Sequence, residues 1–244
     1  TNKPDALAVT AGPGLATSLS VGVEAARTLA YLWKKPIVAV NHLAGHLYAN
    51  WLTTTHHETV RSHQNVMPSE IEFPLLCLIV SGGHTELVLM EKHLDFKVIG
   101  STRDDAAGEA FDKVAKMLGL GYPGGPSVAN MAKEIKNKKL KIKNIDFPRP
   151  MIGSPDWDFS FSGLKTAVLY YLKYLKLTNQ PINKLTRSVI CYAFQEAVVD
   201  VLVTKTIRAA KKYKVKTVLL GGGVAANARL REGLKCAIAH FSPN

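Results

Sequence analysis

The chain has 244 residues, 47% of them hydrophobic, and a formal net charge of +12 with a pI near 9.6. This length and hydrophobic content can bury the core of one large domain or of two lobes. No apolar run reaches the roughly 18 residues of a membrane span, and Thr1–Asp5 lacks the apolar core of a secretory signal, so we expect a cytosolic protein. The charge favours an anionic partner such as nucleic acid, although a solvated lysine-rich surface has the same composition.

The positions of the cysteines and lysines further restrict the kinds of site that the chain can contain. Cys77, Cys191 and Cys236 are scattered among apolar residues without a CxxC pair, which excludes a disulfide framework and predicts buried free thiols. Lysines concentrate in Lys133–Lys143 and Lys205–Lys216. No aromatic residue interleaves the first cluster, so a stacking platform for single-stranded RNA is not visible there.

The first part of the chain alternates strands and helices. An apolar run, Ala6–Thr10, enters a glycine turn and predicts a strand, and a helix with one apolar face follows it. Pro36–Val40 predicts a second buried strand, and Asn41–Leu52 a second helix. The polar stretch Thr53–Glu72 is the best candidate for a connection between lobes, and its three histidines are typical of a solvent-facing loop.

A β-hairpin is predicted next. Two apolar runs, Leu75–Val80 and Leu87–Met90, are separated by the small and polar residues Ser81–Thr85. A turn of this composition leaves backbone N–H groups unobstructed, and concave arrays of such groups bind phosphate oxygens. Glycine turns in hairpins also occur without any ligand, so both interpretations stay open here.

Two further glycine turns resemble nucleotide sites. Thr217–Leu220 runs into Gly221–Gly223 and then into a helical composition, a strand–turn–helix order that suits close approach of a nucleotide. At this turn, Gly221–Gly223, neither GxGxxG nor a GKS or GKT triplet is present. Earlier, Asp104–Lys113 predicts a helix start capped by Asp104 or Asp105, and the following Gly124–Gly125 would suit a ribose and phosphate. Capping and solvated charge alone would also account for these acidic residues.

The sharpest chemical pattern is the pair His42 and His46. Four residues apart on a helix, both imidazoles could reach one divalent metal. Zinc peptidases with HExxH carry a glutamate beside the first histidine as general base, and here that position is Leu43. A metallopeptidase is therefore a poor alternative.

Seven stretches occur together in the order that is typical of one enzyme family, and the chain resembles that family over nearly all its length. It is the tRNA N6-adenosine threonylcarbamoyltransferase family, whose early members were described as O-sialoglycoprotein endopeptidases. The stretches are Thr10–Leu15, Asn41–His46, Val80–Thr85, Asp104–Lys113, Tyr122–Pro126, Phe159–Thr166 and Gly221–Asn227.

The resemblance implies an α/β, two-lobed fold of the actin, hexokinase and Hsp70 superfamily, with residues 1–72 in the first lobe and 73–244 in the second. It implies transfer of threonylcarbamoyl from threonylcarbamoyl-adenylate to N6 of the adenosine beside the anticodon, in tRNAs reading codons that begin with A. It makes His42 and His46 ligands of one divalent metal, iron or zinc. The implied contacts to the adenylate, or to ATP, are Ile79, Val80, Ser81, Gly82, Gly83, Asp112, Gly125 and Asn227.

The resemblance also implies partners: tRNA, a paralogous subunit of the same fold, and a small ATPase. Because AMP is the leaving group, no general acid of unusual strength is required, and no catalytic residue is assigned. The family pattern has an opening strand with an acidic phosphate hairpin, and a later aspartate that is a third metal ligand. Since neither has a match here, we expect a chain that is incomplete at both ends, with weak or absent transfer of its own. A non-catalytic nucleotide-binding scaffold is the alternative.

Overall fold

The computed structural model describes residues 4–52, 71–138 and 145–239. The chain separates into two compact units, residues 1–64 and residues 65–244. The sequence places the lobe boundary after Glu72, and this domain assignment stays a prediction. Most of the predicted connection, with His56, His57 and His63, lies outside the described residues.

The first unit is a β-α-β arrangement followed by a short helix. β1 and β2 pair in parallel, with Leu7 opposite Ile37, because α1 supplies the crossover that parallel strands need. α1 ends at Trp33, and the next residue, Lys34, takes the left-handed conformation typical of helix ends. The elements are β1 (Leu7–Gly12), α1 (Ala16–Trp33), β2 (Ile37–Asn41), α2 (His42–Tyr48) and a 3₁₀ turn (Ala49–Trp51).

The second unit contains a four-stranded sheet in the order β5-β4-β3-β6. β3, β4 and β5 form an antiparallel meander, which confirms the predicted hairpin, and β6 pairs with β3 in parallel. Every residue of β3 is buried, as expected for a central strand covered on both faces. The strands are β3 (Leu75–Val80), β4 (Thr85–Lys92), β5 (Asp95–Ser101) and β6 (Thr217–Gly221).

In the described part of this unit, five helices form the core together with the sheet. The rings of Phe111 and Phe194 meet edge to face, 5.1 Å between centroids, and so join α3 to α6. α6 packs against α4 and α7. The helices are α3 (Ala107–Met117), α4 (Gly124–Lys138), α5 (Ser162–Leu177), α6 (Lys184–Lys212) and α7 (Ala228–Ala239), with a 3₁₀ turn (Gly223–Ala226) before α7. The predicted α/β class is confirmed.

The predicted cap of α3 is wrong. α3 begins at Ala107, whose N–H donates to Thr85 Oγ1 at 2.9 Å instead of to an aspartate. Asp104 instead accepts hydrogen bonds from the N–H groups of Phe161 and Ser162, at the start of α5. A carboxylate can cap a helix that is distant in sequence, and local spacing cannot reveal this.

Burial corrects two further expectations. Cys77 and Cys191 are buried free thiols as predicted, but Cys236 is exposed. Lys205, counted in the second lysine cluster, has no exposed surface because its ammonium donates to Ser154 Oγ and to the carbonyl oxygen of Asp158. It therefore contributes to the packing of this unit and not to a surface charge.

In the part of the chain that the structure describes, no helix has both the length and the apolar character needed to cross a membrane.

Candidate nucleotide cavity and histidine pair

The candidate site of the second unit begins where β3 and β6 end. Because these strands are parallel, the turn after Val80 and the turn after Gly221 lie side by side. Gly222 has φ +88°, and a Cβ at this position would lie 2.3 Å from the carbonyl oxygen of Val80. Only glycine fits this contact. Ligands of open α/β sheets bind in such crevices, beyond the carboxyl ends of the strands.

The turn after β3 is held by its own serine. Ser81 Oγ accepts the N–H of His84 at 3.0 Å and that of Gly83 at 3.4 Å, and the Ser81 N–H donates to the His84 carbonyl oxygen. Of the three N–H groups predicted to bind phosphate, at Ser81, Gly82 and Gly83, only that of Gly82 makes no hydrogen bond to another described residue. The turn therefore offers one donor and not the predicted array.

A cavity of about 1190 Å³ opens beside these turns, and it lies wholly within the second unit. Four of the predicted adenylate contacts line it: Gly82, Asp112, Gly125 and Asn227. Its wall also carries amide, carboxylate and aromatic side chains, a mixture suited to a nucleoside with its phosphate. These further residues include Tyr122, Asn130, Tyr192, Gln195, Glu196, Asp200, Arg229 and Glu232.

The other predicted contacts lie elsewhere. Ile79 and Val80 have no exposed surface, so their side chains support the turn and do not reach the cavity. Ser81 and Gly83 are absent from its wall. For all eight residues, the four in the wall and the four outside it, contact with an adenylate stays a prediction.

Asp112 closes one end of the cavity by capping a helix. Its Oδ1 accepts the N–H of Gly124, the first residue of α4, at 2.7 Å. A Cβ on Gly124 would lie 2.5 Å from the Asp112 Cα, whereas a Cβ on Gly125 would meet no atom within 4 Å. Gly124 is thus required by packing, while Gly125 leaves open space beside the cavity.

Asn227 is fixed on both sides of its carboxamide. Its Oδ1 accepts the N–H groups of Arg229 and Leu230 and so caps α7, and its Nδ2 donates to Gln195 Oε1 at 3.0 Å. Local sequence predicted a glycine turn that led directly into a helix. The structure inserts the 3₁₀ turn Gly223–Ala226 and places Asn227 at the helix start.

Sequence reasoning missed the contribution of α6. Arg229 forms a two-pronged ion pair with Glu196, with distances of 2.8 Å from Nε to Oε1 and from Nη2 to Oε2. Gln195, Glu196 and Asp200 all face the cavity. The sequence pattern that could have revealed this contribution is the recurrence of polar residues three to four positions apart among apolar residues of α6, which indicates a solvent-accessible helix face.

The histidine pair of the first unit has the geometry of two ligands to one ion. Asn41 caps α2 by accepting the N–H groups of Leu43 and Ala44, so the helix starts at His42 and places His46 one turn later. The two Nε2 atoms are 3.2 Å apart, with ring planes at 71°.

This spacing fits a metal. Two nitrogens bound about 2.0–2.1 Å from one tetrahedral ion are separated by about 3.3 Å. Both Nε2 lone pairs would then face the ion, with the ring protons on Nδ1. Among the residues described, no group of three or more His, Cys, Asp and Glu side chains is placed to hold a metal. The assignment of His42 and His46 as metal ligands therefore stays a prediction.

The α/β fold and a cavity beyond two parallel strands place this protein in the class of α/β proteins whose ligand sites lie at the carboxyl ends of the strands. The family model described as tRNA N6-adenosine threonylcarbamoyltransferase matches residues 1–244. The chain therefore belongs to that family, as predicted from its motifs.

Curated relatives carry the same description. The protein of Geobacillus thermodenitrificans is 52% identical over 231 residues, which cover 95% of this chain and 60% of the relative. The protein of Thermomicrobium roseum is 48% identical over 247 residues, which cover 95% of this chain and 64% of the relative. The protein of Listeria monocytogenes serovar 1/2a is 50% identical over 230 residues, which cover 94% of this chain and 60% of the relative. The chain thus spans less than two thirds of the length of these relatives.

Among solved structures, component A of the (R)-2-hydroxyglutaryl-CoA dehydratase of Acidaminococcus fermentans is similar to this chain with a TM-score of 0.44 and 14% sequence identity. The comparison covers 95% of this chain and 78% of that one.

Proposed function

We propose that the protein transfers a threonylcarbamoyl group from threonylcarbamoyl-adenylate to N6 of the adenosine beside the anticodon of tRNAs reading codons that begin with A. The observation that carries the proposal is the family match over the whole chain together with four predicted adenylate contacts in one cavity. The names of the relatives favour this acyltransferase over a non-catalytic scaffold. Leu43, in the position of a peptidase glutamate, disfavours a metallopeptidase.

The cavity suits the adenylate half of the donor. The Gly82 N–H is available to a phosphate oxygen. Asp112 uses Oδ1 to cap α4, so its Oδ2 is available to a ribose hydroxyl. Tyr122 and Tyr192 offer aromatic surface to a base. Held in this way, the donor would present its carbamoyl carbon in one orientation. This lowers the entropic cost of reaching the transition state.

The reaction needs positioning more than acid–base strength. The exocyclic amine forms a C–N bond to the carbamoyl carbon through an anionic tetrahedral species. The C–O bond to the phosphate breaks, AMP leaves with the bonding electrons, and the amine loses a proton to solvent. A divalent metal held by His42 and His46, iron or zinc, would supply Lewis-acid stabilisation of the developing negative charge.

The remaining family expectations belong to this proposal. Acting on tRNA, the protein would work in the cytoplasm. There it would associate with a paralogous subunit of the same fold and a small ATPase. The net charge of +12 suits the tRNA backbone, and the target adenosine lies in a single-stranded loop where its edge is accessible.

Binding by isothermal titration tests the proposal first. The chain is titrated with a non-hydrolysable ATP analogue and separately with Zn²⁺, beside a His42→Ala/His46→Ala variant and the control His93→Ala. We expect the double variant to keep nucleotide binding and lose metal binding, while the control keeps both. Transfer of labelled threonylcarbamoyl from the adenylate to an unmodified tRNA is then measured. A chain that binds no nucleotide would contradict the proposal.

A further inference from the structure

The second unit has another cavity, of about 480 Å³, between the end of α3, the second half of α5 and the start of α6. It is separate from the nucleotide cavity, since the two share no lining residue. Its wall contains Lys116, Lys173, Lys176 and Arg187 with apolar residues, and no acidic side chain. We refer to it as the basic cavity.

Arg187 is the most constrained of its cations. Its Nε is buried, and none of the described residues accepts a hydrogen bond from it. The guanidinium lies over Gly119, with Nη1 4.0 Å from the position of a Cβ on that residue. Arg187 lines the cavity, and a guanidinium in such a wall can donate hydrogen bonds to a phosphate from its terminal nitrogens.

The surrounding lysines add to this positive field. Among the described residues, neither Lys116 nor Lys176 forms an ion pair, in contrast to Lys113 and Lys165 nearby, which both pair with Asp105. Three lysines and one arginine around one small volume repel one another, and a phosphate group relieves that repulsion.

The outer face of α5 carries exposed aromatic rings beside the basic cavity. Tyr170 and Tyr174, one helical turn apart, are 63% and 54% exposed. The ammonium of Lys173, in the cavity wall, lies 5.7 Å from the centroid of the Tyr170 ring. Proteins bind single-stranded RNA with exposed aromatic rings, on which the bases stack, and with neighbouring cations, which neutralise the RNA phosphates. An acidic protein segment would need the cations but not the rings.

We propose that the basic cavity and the adjoining Tyr170 and Tyr174 form an RNA-docking surface, with one backbone phosphate held by Arg187 and the lysines. The inference rests on the proposed function, because it names where the RNA substrate is held outside the reaction site.

The test measures binding of a fluorescently labelled, unmodified tRNA transcript by anisotropy over a range of salt. We expect Arg187→Gln/Lys176→Gln to weaken binding about tenfold and to lower the slope of log affinity against log salt by about 2. Arg187→Lys keeps the charge and should lose less. The control Lys97→Gln/Lys212→Gln removes the same charge from exposed positions outside the cavity and should change affinity less than twofold.

A second arm addresses the rings. Tyr170→Ala should weaken RNA binding about tenfold, whereas Tyr170→Phe keeps the stacking surface and the affinity. Circular dichroism and binding of the ATP analogue show that each variant is folded.

Three outcomes would overturn the inference. The first is equal RNA affinity of the cavity and control variants, and the second is no RNA binding by the unsubstituted chain. For the third, binding of polyglutamate is measured as well, and the cavity variant loses polyglutamate binding but keeps RNA binding. The last outcome would assign the cavity to an acidic polypeptide. No binding of the ATP analogue by the unsubstituted chain while RNA binding persists would count against the proposed function and leave the docking surface standing.

Discussion

The carboxamides of Asn227 and Gln195 are joined by a hydrogen bond of 3.0 Å, which ties the start of α7 to the middle of α6 at the wall of the candidate nucleotide cavity. The same Asn227 side chain caps α7. One residue therefore serves the stability of a helix and the shape of the candidate site, and substitutions can separate the two roles.

Replacing Asn227 by alanine removes both roles. We expect Asn227→Ala to lower the free energy of unfolding by about 1 kcal/mol through the lost cap, and to weaken ATP-analogue binding about tenfold. Asn227→Ser retains a cap oxygen but cannot donate to Gln195, so it should recover most of the stability and little of the affinity. Urea unfolding and isothermal titration measure the two quantities. Recovery of both by serine would show that Asn227 acts only as a cap.

The adjacent glycines Gly124 and Gly125 make a matched pair. Gly124→Ala places a methyl group 2.5 Å from the Asp112 Cα and should lower the free energy of unfolding by about 1–3 kcal/mol. Gly125→Ala meets nothing within 4 Å and should leave stability within about 0.5 kcal/mol of the unsubstituted chain. If Gly125 contacts the adenylate, its variant binds the ATP analogue more weakly at unchanged stability. Equal loss of stability in both variants would contradict the assigned packing.

Thiol reactivity reports on the cavity without any substitution. Burial raises the pKa of Cys77 and of Cys191 to about 12, so both should resist a thiol reagent in the folded chain. Cys236 is exposed in the cavity wall and should react. We expect one reactive thiol when folded and all three after denaturation, with the ATP analogue slowing the reaction of Cys236. Labelling of Cys236 at the same rate with saturating nucleotide would place the nucleotide elsewhere.

Asp105 makes stability depend on pH. Burial by itself would raise the pKa of this carboxyl, but a hydrogen bond from Lys113 and the ion pair with Lys165 outweigh burial and lower the pKa below 3.8. Its stabilising contribution is thus fully present above pH 3.8 and is lost as the pH falls through the lower folded pKa. Asp105→Asn should destabilise the chain by about 2 kcal/mol at neutral pH, and the difference from the unsubstituted chain should shrink below pH 3.8.

Urea unfolding of both chains at several pH values measures this difference. The control is Glu109→Gln, because Glu109 pairs with the same Lys113 from a side chain that is 44% exposed. Such a surface pair contributes about 0.5 kcal/mol or less. A difference for Asp105→Asn that stays constant down to the acid transition would contradict the role of the two lysines.

Sequence patterns predicted the strands and turns well, because apolar runs and glycines are local signals. The hairpin of β3 and β4 and the turn after β6 are examples. Asp112, Gly125 and Asn227 came from family resemblance, and the structure places them in one wall. Gln195 was missed because it reaches the site only through the packing of α6 beside α7.

Side chains with long-range partners were the least predictable. Asp104 seemed to belong to α3, which follows it, yet it caps α5. Lys205 is one of many lysines in its stretch, and only the fold supplies the oxygens that allow its burial. In both cases the deciding partners lie far away in the chain, where spacing along the sequence carries no information.

The pairing of β3 with β6 also determines when the site can exist during folding. Leu75 lies opposite Thr217, so the central strand keeps an unpaired edge until almost the whole described chain has been synthesised. Such a non-local parallel pairing has a high loop-closure entropy and forms slowly. Until it forms, β3 presents a fully apolar edge to other chains. Nascent chains of this protein should therefore depend on chaperone protection until β6 has left the ribosome.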